Sequence, residues 1–184
     1  MRHDPYRRLP EAPAFRVTSP EVLDGKMMPR RMASEGAGGA NTSPPLTWYG
    51  FPDETRSFVV TMFDADARTP SGFWHWIVKD VPASVGGLEE GAGSSGDSSL
   101  PEGARHLRND AGNRGYDGPT PPPGHGPHRY FIAVHAVDVE RLPVDDDASA
   151  AYLHLQLLGH TLARGLMMPT FEAHALGQEE AEAA

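Results

Sequence analysis

Three stretches of the chain are apolar with almost no polar break: Ser57 to Phe63 (SFVVTMF), Phe73 to Val78 (FWHWIV) and Tyr130 to Val137. Each is short, rich in β-branched and aromatic residues, and bounded by Asp, Gly or Pro, which is the pattern of a buried strand. Shorter runs predict strands at Phe15 to Thr18, Leu46 to Trp48 and Phe171 to His174. From Ala148 to Met167, leucines 155, 158, 162 and 166 recur at helical spacing. They predict one amphipathic helix near the C-terminus. It ends near Met168-Pro169, because proline disfavours helix in the residue before it. The strong strands precede the helix rather than alternate with it. That order argues against a parallel βαβ sheet and for a mainly β protein, an antiparallel β-sandwich with peripheral helices.

Strand side chains alternate between faces. His75 is thus expected beside Phe73 and Ile77, with Trp74, Trp76 and Val78 on the other face. His128, Tyr130, Ile132 and Val134 share one face of their strand, and Arg129, Phe131 and His135 the other. Asp64 and Asp66 share a face at the end of theirs unless a bulge intervenes. Each strong strand therefore carries ionisable groups near one end. Singly, each is an ordinary boundary residue whose polar atoms are satisfied locally. Repeated on three strands, they suggest a common site.

Composition sharpens this picture. Twenty glycines and eighteen prolines in 184 residues mean many loops, among them a long mobile one at 84–104. One domain is expected over 15–174, preceded by an irregular arm (1–14) and followed by a disordered acidic tail (175–184). The net charge of −9 argues against binding nucleic acid or an anionic membrane through the overall field. The run Asp145-Asp146-Asp147 reads as solvated surface. Cysteine is absent, which excludes disulfides, zinc-thiolate sites and thiol catalysis. No apolar run suits a signal segment or a bilayer span, so a cytoplasmic protein is expected. The nine histidines include no H-E-x-x-H, and His154 and His160 are six apart, off a common helix face, so no metal is expected. Gly91 to Gly96 fits G-x-G-x-x-G, but loop lies on both sides, so no dinucleotide cofactor is indicated.

Several short motifs occur in a fixed order: Asn41-Thr42-Ser43-Pro44-Pro45-Leu46-x-Trp48, Asp64-x-Asp66-Ala67, His75-Trp76, Gly115-Tyr116-x-Gly118-Pro119 and Gly124-His125-Gly126-x-His128-Arg129-Tyr130. This order resembles the phosphatidylethanolamine-binding protein family, in particular its bacterial Raf-kinase-inhibitor-like group, over roughly residues 15 to 172. The resemblance implies a two-sheet sandwich and a small pocket for phosphate-like anions. It assigns Asp64, His75, His128 and Tyr130 to that pocket, with backbone near Gly118 closing one side and Asp66 in the wall. It also brings in a homodimer and a kinase or protease target as candidate partners. Three positions depart from the family pattern. Ala65 and Arg68 replace prolines, and Thr120 stands where relatives often have cysteine. Arg68 adds a cation within reach of the pocket mouth.

The residue types suit an anion. Imidazoles titrate near neutral pH and can donate hydrogen bonds, and a tyrosine adds a hydroxyl. Backbone N–H groups beside Gly118 are expected to approach the guest closely. Asp64 is expected to accept an N–H from a histidine and so fix its tautomer. Three classes follow: a binding protein for an anionic small molecule or phospholipid headgroup, an enzyme using the same four residues for acid–base chemistry, and a kinase or protease inhibitor.

Overall fold

The run Ser57–Asp64 forms β3, a central strand buried along its whole length. The computed structural model describes residues 4–173. Around β3 the chain adds β1 (Arg16–Thr18), β2 (Leu46–Tyr49), β4 (Phe73–Pro82), β5 (Gly87–Leu88), β6 (Arg105–His106) and β7 (His128–Val137). Helix α1 (Ala150–His160), β8 (Thr161–Met167) and β9 (Thr170–Phe171) follow. The small sheet runs β1-β2-β5 and the large one β6-β4-β3-β7-β8, both with antiparallel neighbours. β9 pairs with the first two residues of β7, where β8 has already left it.

The large sheet is covered on both faces, which explains the missing polar break in β3. Phe58, Val60 and Met62 pack with Trp76, Ile132 and Val134 against Leu46 and Trp48 of the small sheet. Val59, Ile77 and Val137 turn the other way and meet Leu153 and Leu157 of α1. Within the segment read as an arm, Pro5–Arg8 makes one 3-10 turn that buries Tyr6 near Thr61. The acidic tail and His174 lie outside the described residues.

The helix expected over 148–167 is half as long. It stops at His160, and residues 161–167 become β8, paired along Ile132 to Val137 of β7. The edge of β7 presents N–H and C=O groups that must be paired once buried, and this outweighs the leucine spacing. Gly165 marks the strand: a Cβ there would lie 2.3 Å from Val17 Cγ2. The helix face also differs, with Leu153 and Leu157 buried and Leu155 and Leu158 exposed.

Two loop readings change as well. The 84–104 segment is fastened, with Ser43 Oγ accepting from the Gly93 N–H at 2.8 Å and Asp97 accepting from the His106 N–H at 2.8 Å. The acidic run is more than solvated surface. Asp146 Oδ1 lies 2.9 Å from the buried Lys79 Nζ, which holds this carboxyl below its usual range.

Beneath α1, the outer face of β7 buries His135 beside His154, ring centroids 6.1 Å apart. The Nε2 of each is buried and without a hydrogen-bond partner among the described residues. Burial, then repulsion from His154 and Arg164, pushes His135 well below the ordinary imidazole value; burial lowers His154 too. Both are therefore neutral in the fold. Their stabilising effect is complete above the unfolded-state value of about 6.5 and is lost as pH falls through the lowered folded values. The urea midpoint is expected to drop between about pH 7 and about pH 5, and His135→Leu to flatten the slope. An unchanged slope would remove His135 from this account.

Candidate functional site

Strand register brings the ionisable groups to one end of the large sheet. Asp64, the last residue of β3, lies opposite Phe73 of β4 on one side and Tyr130 of β7 on the other. His128 is two residues from Tyr130, on the same face.

His75 arrives differently. Phe63 pairs with Trp74 and Met62 with Trp76, so His75 is an extra residue in β4, a bulge. A bulge breaks the alternation of faces. Trp74 consequently leaves the face of Trp76 and Val78 and packs on the α1 side, against His154. The expected grouping of Trp74 with Trp76 and Val78 is thus wrong, and so is that of His75 with Ile77. His75 instead faces Phe73 at 4.8 Å and Tyr130 at 5.3 Å between ring centroids.

A cleft of about 420 Å³ opens over these residues, lined among others by Asp64, Arg68, Phe73, His75, Gly118 and His128. Both imidazoles are oriented through Nδ1. His128 Nδ1 lies 2.8 Å from Asp64 Oδ2, and Asp64 Oδ1 accepts the Asp66 N–H at 2.8 Å. His75 Nδ1 donates to the Asp117 carbonyl at 2.6 Å, while the Asp117 N–H donates back to the His75 carbonyl at 3.0 Å. Each ring keeps Nε2 as its remaining polar atom, an acceptor when bare and a donor when protonated. Burial chiefly lowers the pKa of His75, against the Asp117 carbonyl and nearby carboxylates, which favour its charged form. At neutral pH its Nε2 is therefore bare.

The remaining expected residues take distinct places. Tyr130 is fully buried, and its hydroxyl has no hydrogen-bond partner among the described residues. Burial first, then the Asp64 charge, pushes its pKa up. Its ring packs edge-on against His75 behind the cleft lining, so the hydroxyl expected to donate to a guest is buried away from the cleft. Asp66 parts from Asp64 and receives Arg129 through Nε and Nη2, both at 2.8 Å. It borders a neighbouring groove with Arg68, His125 and His128.

The backbone beside Gly118 offers no free donor. The Asp117 and Gly118 N–H groups are bonded to the His75 carbonyl and Asn41 Oδ1, and Pro119 has none. Glycine is required there for another reason: a Cβ would lie 2.4 Å from the Met32 carbonyl oxygen and 2.5 Å from Ser34 N. The expectation of anion-binding amides at this turn is thereby corrected.

Sequence reasoning missed the residues that hold this wall. Asn41, at φ 52, bridges it by accepting from Gly118 N–H and donating to the Tyr116 carbonyl at 3.1 Å. Asparagine tolerates that left-handed backbone better than most residues. Asp117 acts on His75 through a carbonyl, which no residue type signals. Its carboxylate accepts from the Asn109 and Asn113 amides at 2.7 and 2.8 Å.

Residues 18–172 match the profile of the family described as phosphatidylethanolamine-binding protein. The chain is 42% identical to YbcL of Escherichia coli K12 over 88% of its own length and 90% of that relative's. It is 42% identical to YbhB of the same organism, covering 85% of this chain and 99% of YbhB. The crystal structure of E. coli YbcL, described as a member of the mammalian PEBP family, superposes with a TM-score of 0.82 over 86% of this chain and 98% of that one. A phosphatidylethanolamine-binding protein from Plasmodium vivax, 13% identical, shares the fold with a TM-score of 0.57 over 91% and 89% of the two chains.

Proposed function

Because the chain belongs to the phosphatidylethanolamine-binding protein family, we propose that it is a binding protein whose cleft takes a phosphate-like anion, free or as the headgroup of an ester. One observation carries this reading. Two imidazoles from different strands line one cleft, each pinned through Nδ1 by its own acceptor. The rings are thereby preorganised, and little side-chain entropy remains to be lost on binding. A monoprotonated phosphate matches them. Its anionic oxygens accept from an Nε2–H, which a ring pinned through Nδ1 presents once it takes up a proton.

Thermal shift tests this. A ligand that binds only the folded chain, at about one hundred times its Kd, stabilises it by about 2.7 kcal/mol. Inorganic phosphate or phosphoethanolamine is expected to raise Tm by several degrees. If neither these nor nucleotides move it, the reading fails.

Binding is also expected to take up protons. His75 is neutral in the free cleft because burial lowers its pKa, and an anion against Nε2 favours the charged ring. Affinity therefore rises as pH falls from about 8 to about 6. Calorimetry in two buffers of different ionisation heat measures the uptake; proton release would contradict it.

A second reading, acid–base catalysis, rests on the same bare Nε2 of His75, which is placed to act as a base. Its mark would be His75-dependent exchange of an acidic C–H proton in a carbonyl ligand with deuterated water.

A further inference from the structure

Beside the cleft lies a groove of about 380 Å³ that shares Arg68 and His128 with it. Arg68 is exposed and lines both spaces. Among the described residues no carboxylate pairs with its guanidinium. The two acidic residues of the same segment are already engaged, Asp64 by His128 and Asp66 by the two-pronged contact of Arg129. His125 completes the groove, its ring stacked on His128 at 5.7 Å and 26°. A row of donors thus leads outward from the cleft to its rim: His128, then His125 and Arg68. On a chain of net charge −9, Arg68 thus sets a positive charge at the mouth of the cleft.

We propose that Arg68, assisted by His125, is a specificity determinant that selects phosphate esters carrying a second anionic group, a carboxylate or a further phosphate, over the zwitterionic phosphoethanolamine. This rests on the anion-binding reading above. The phosphate occupies the cleft at His75 and His128, and the second anion extends into the groove. A guanidinium presents a planar pair of N–H donors that fits a carboxylate or phosphate edge. An ammonium placed there meets a like charge. His125 stays largely neutral near pH 7, because burial, then Arg68 and His128, oppose its protonation. Arg68 therefore carries the charge, and the imidazole contributes an N–H.

Carboxylates border both spaces. Asp66 lines the groove itself, but Arg129 holds it through Nε and Nη2. The Asp117 carboxylate also lines the cleft and would attract an ammonium, but it is already held by the Asn109 and Asn113 amides. The ligand tail decides between Arg68 and these carboxylates.

The test is calorimetry at low ionic strength with three probes that differ only in the tail: ethyl phosphate, phosphoethanolamine and 2-phosphoglycolate. The expected order of affinity is phosphoglycolate, ethyl phosphate, phosphoethanolamine, with phosphoglycolate about five- to tenfold tighter than ethyl phosphate. Arg68→Ala should bring that ratio below about twofold, and Arg68→Glu should reverse the order; the site is exposed, so both variants are expected to fold. An unchanged ratio in Arg68→Ala, or phosphoethanolamine as the tightest ligand of the parent chain, would overturn the proposal. Binding of ethyl phosphate with no preference for either charged tail would overturn it alone, leaving the anion-binding reading intact. Failure of all three probes to bind would remove both.

Discussion

His128→Ala is expected to lower phosphate affinity by about one hundredfold and to destabilise the fold by about 3 kcal/mol. Two effects combine in one substitution. The cleft loses a donor, and Asp64 loses the ring 2.8 Å from Oδ2. Asp64 is 4% exposed, so water cannot replace the lost partner fully. The bared carboxylate also lines the cleft, so on the proposed reading it adds repulsion to the missing contact. A double-mutant cycle separates the parts. Placing Asp64→Asn in the His128→Ala background removes the stranded charge and should recover stability without restoring affinity. A single His128→Ala variant as stable as the parent would show that the pair contributes nothing to the fold.

Gly118→Ala is the second large effect, and it is one of stability. The added methyl carbon would sit 2.4 Å from the Met32 carbonyl oxygen and 2.5 Å from Ala33 C and Ser34 N. All three atoms are backbone, so no side chain can swing away. Overpacking of this kind costs about 3 kcal/mol, or a Tm drop of roughly 6–12 °C for a chain of this size. Ser34 lines the cleft, so the strain reaches the site. Gly159→Ala is a useful opposite. A Cβ there meets nothing within 4 Å, and alanine is the better helix former, so Tm should rise slightly. A Gly118→Ala variant within about 2 °C of the parent would refute the steric account.

The face shared by His128, Tyr130, Ile132 and Val134 was legible because β7 is regular, and period two holds wherever no residue is inserted. His75 shows the limit. Its inward position depends on a bulge, and only the register against Met62 and Phe63 reveals it. The same holds for its partner, the Asp117 carbonyl. Every residue carries a carbonyl, so no pattern of residue types could nominate that one.

The class of fold, the three buried strands and the ionisable residues at their ends were legible in the order of residues alone. Apolar periodicity and residue chemistry are local properties, and short windows record them. That residues 161–167 are a strand, that Trp74 turns from Trp76, and that Gly118 is needed for packing rather than for donors emerges only in three dimensions. Each of those outcomes depends on a neighbour distant in the chain: the edge of β7, the register of β3, the backbone of residues 32 to 34. Local preference yields where a distant partner must satisfy a backbone group or occupy the same space.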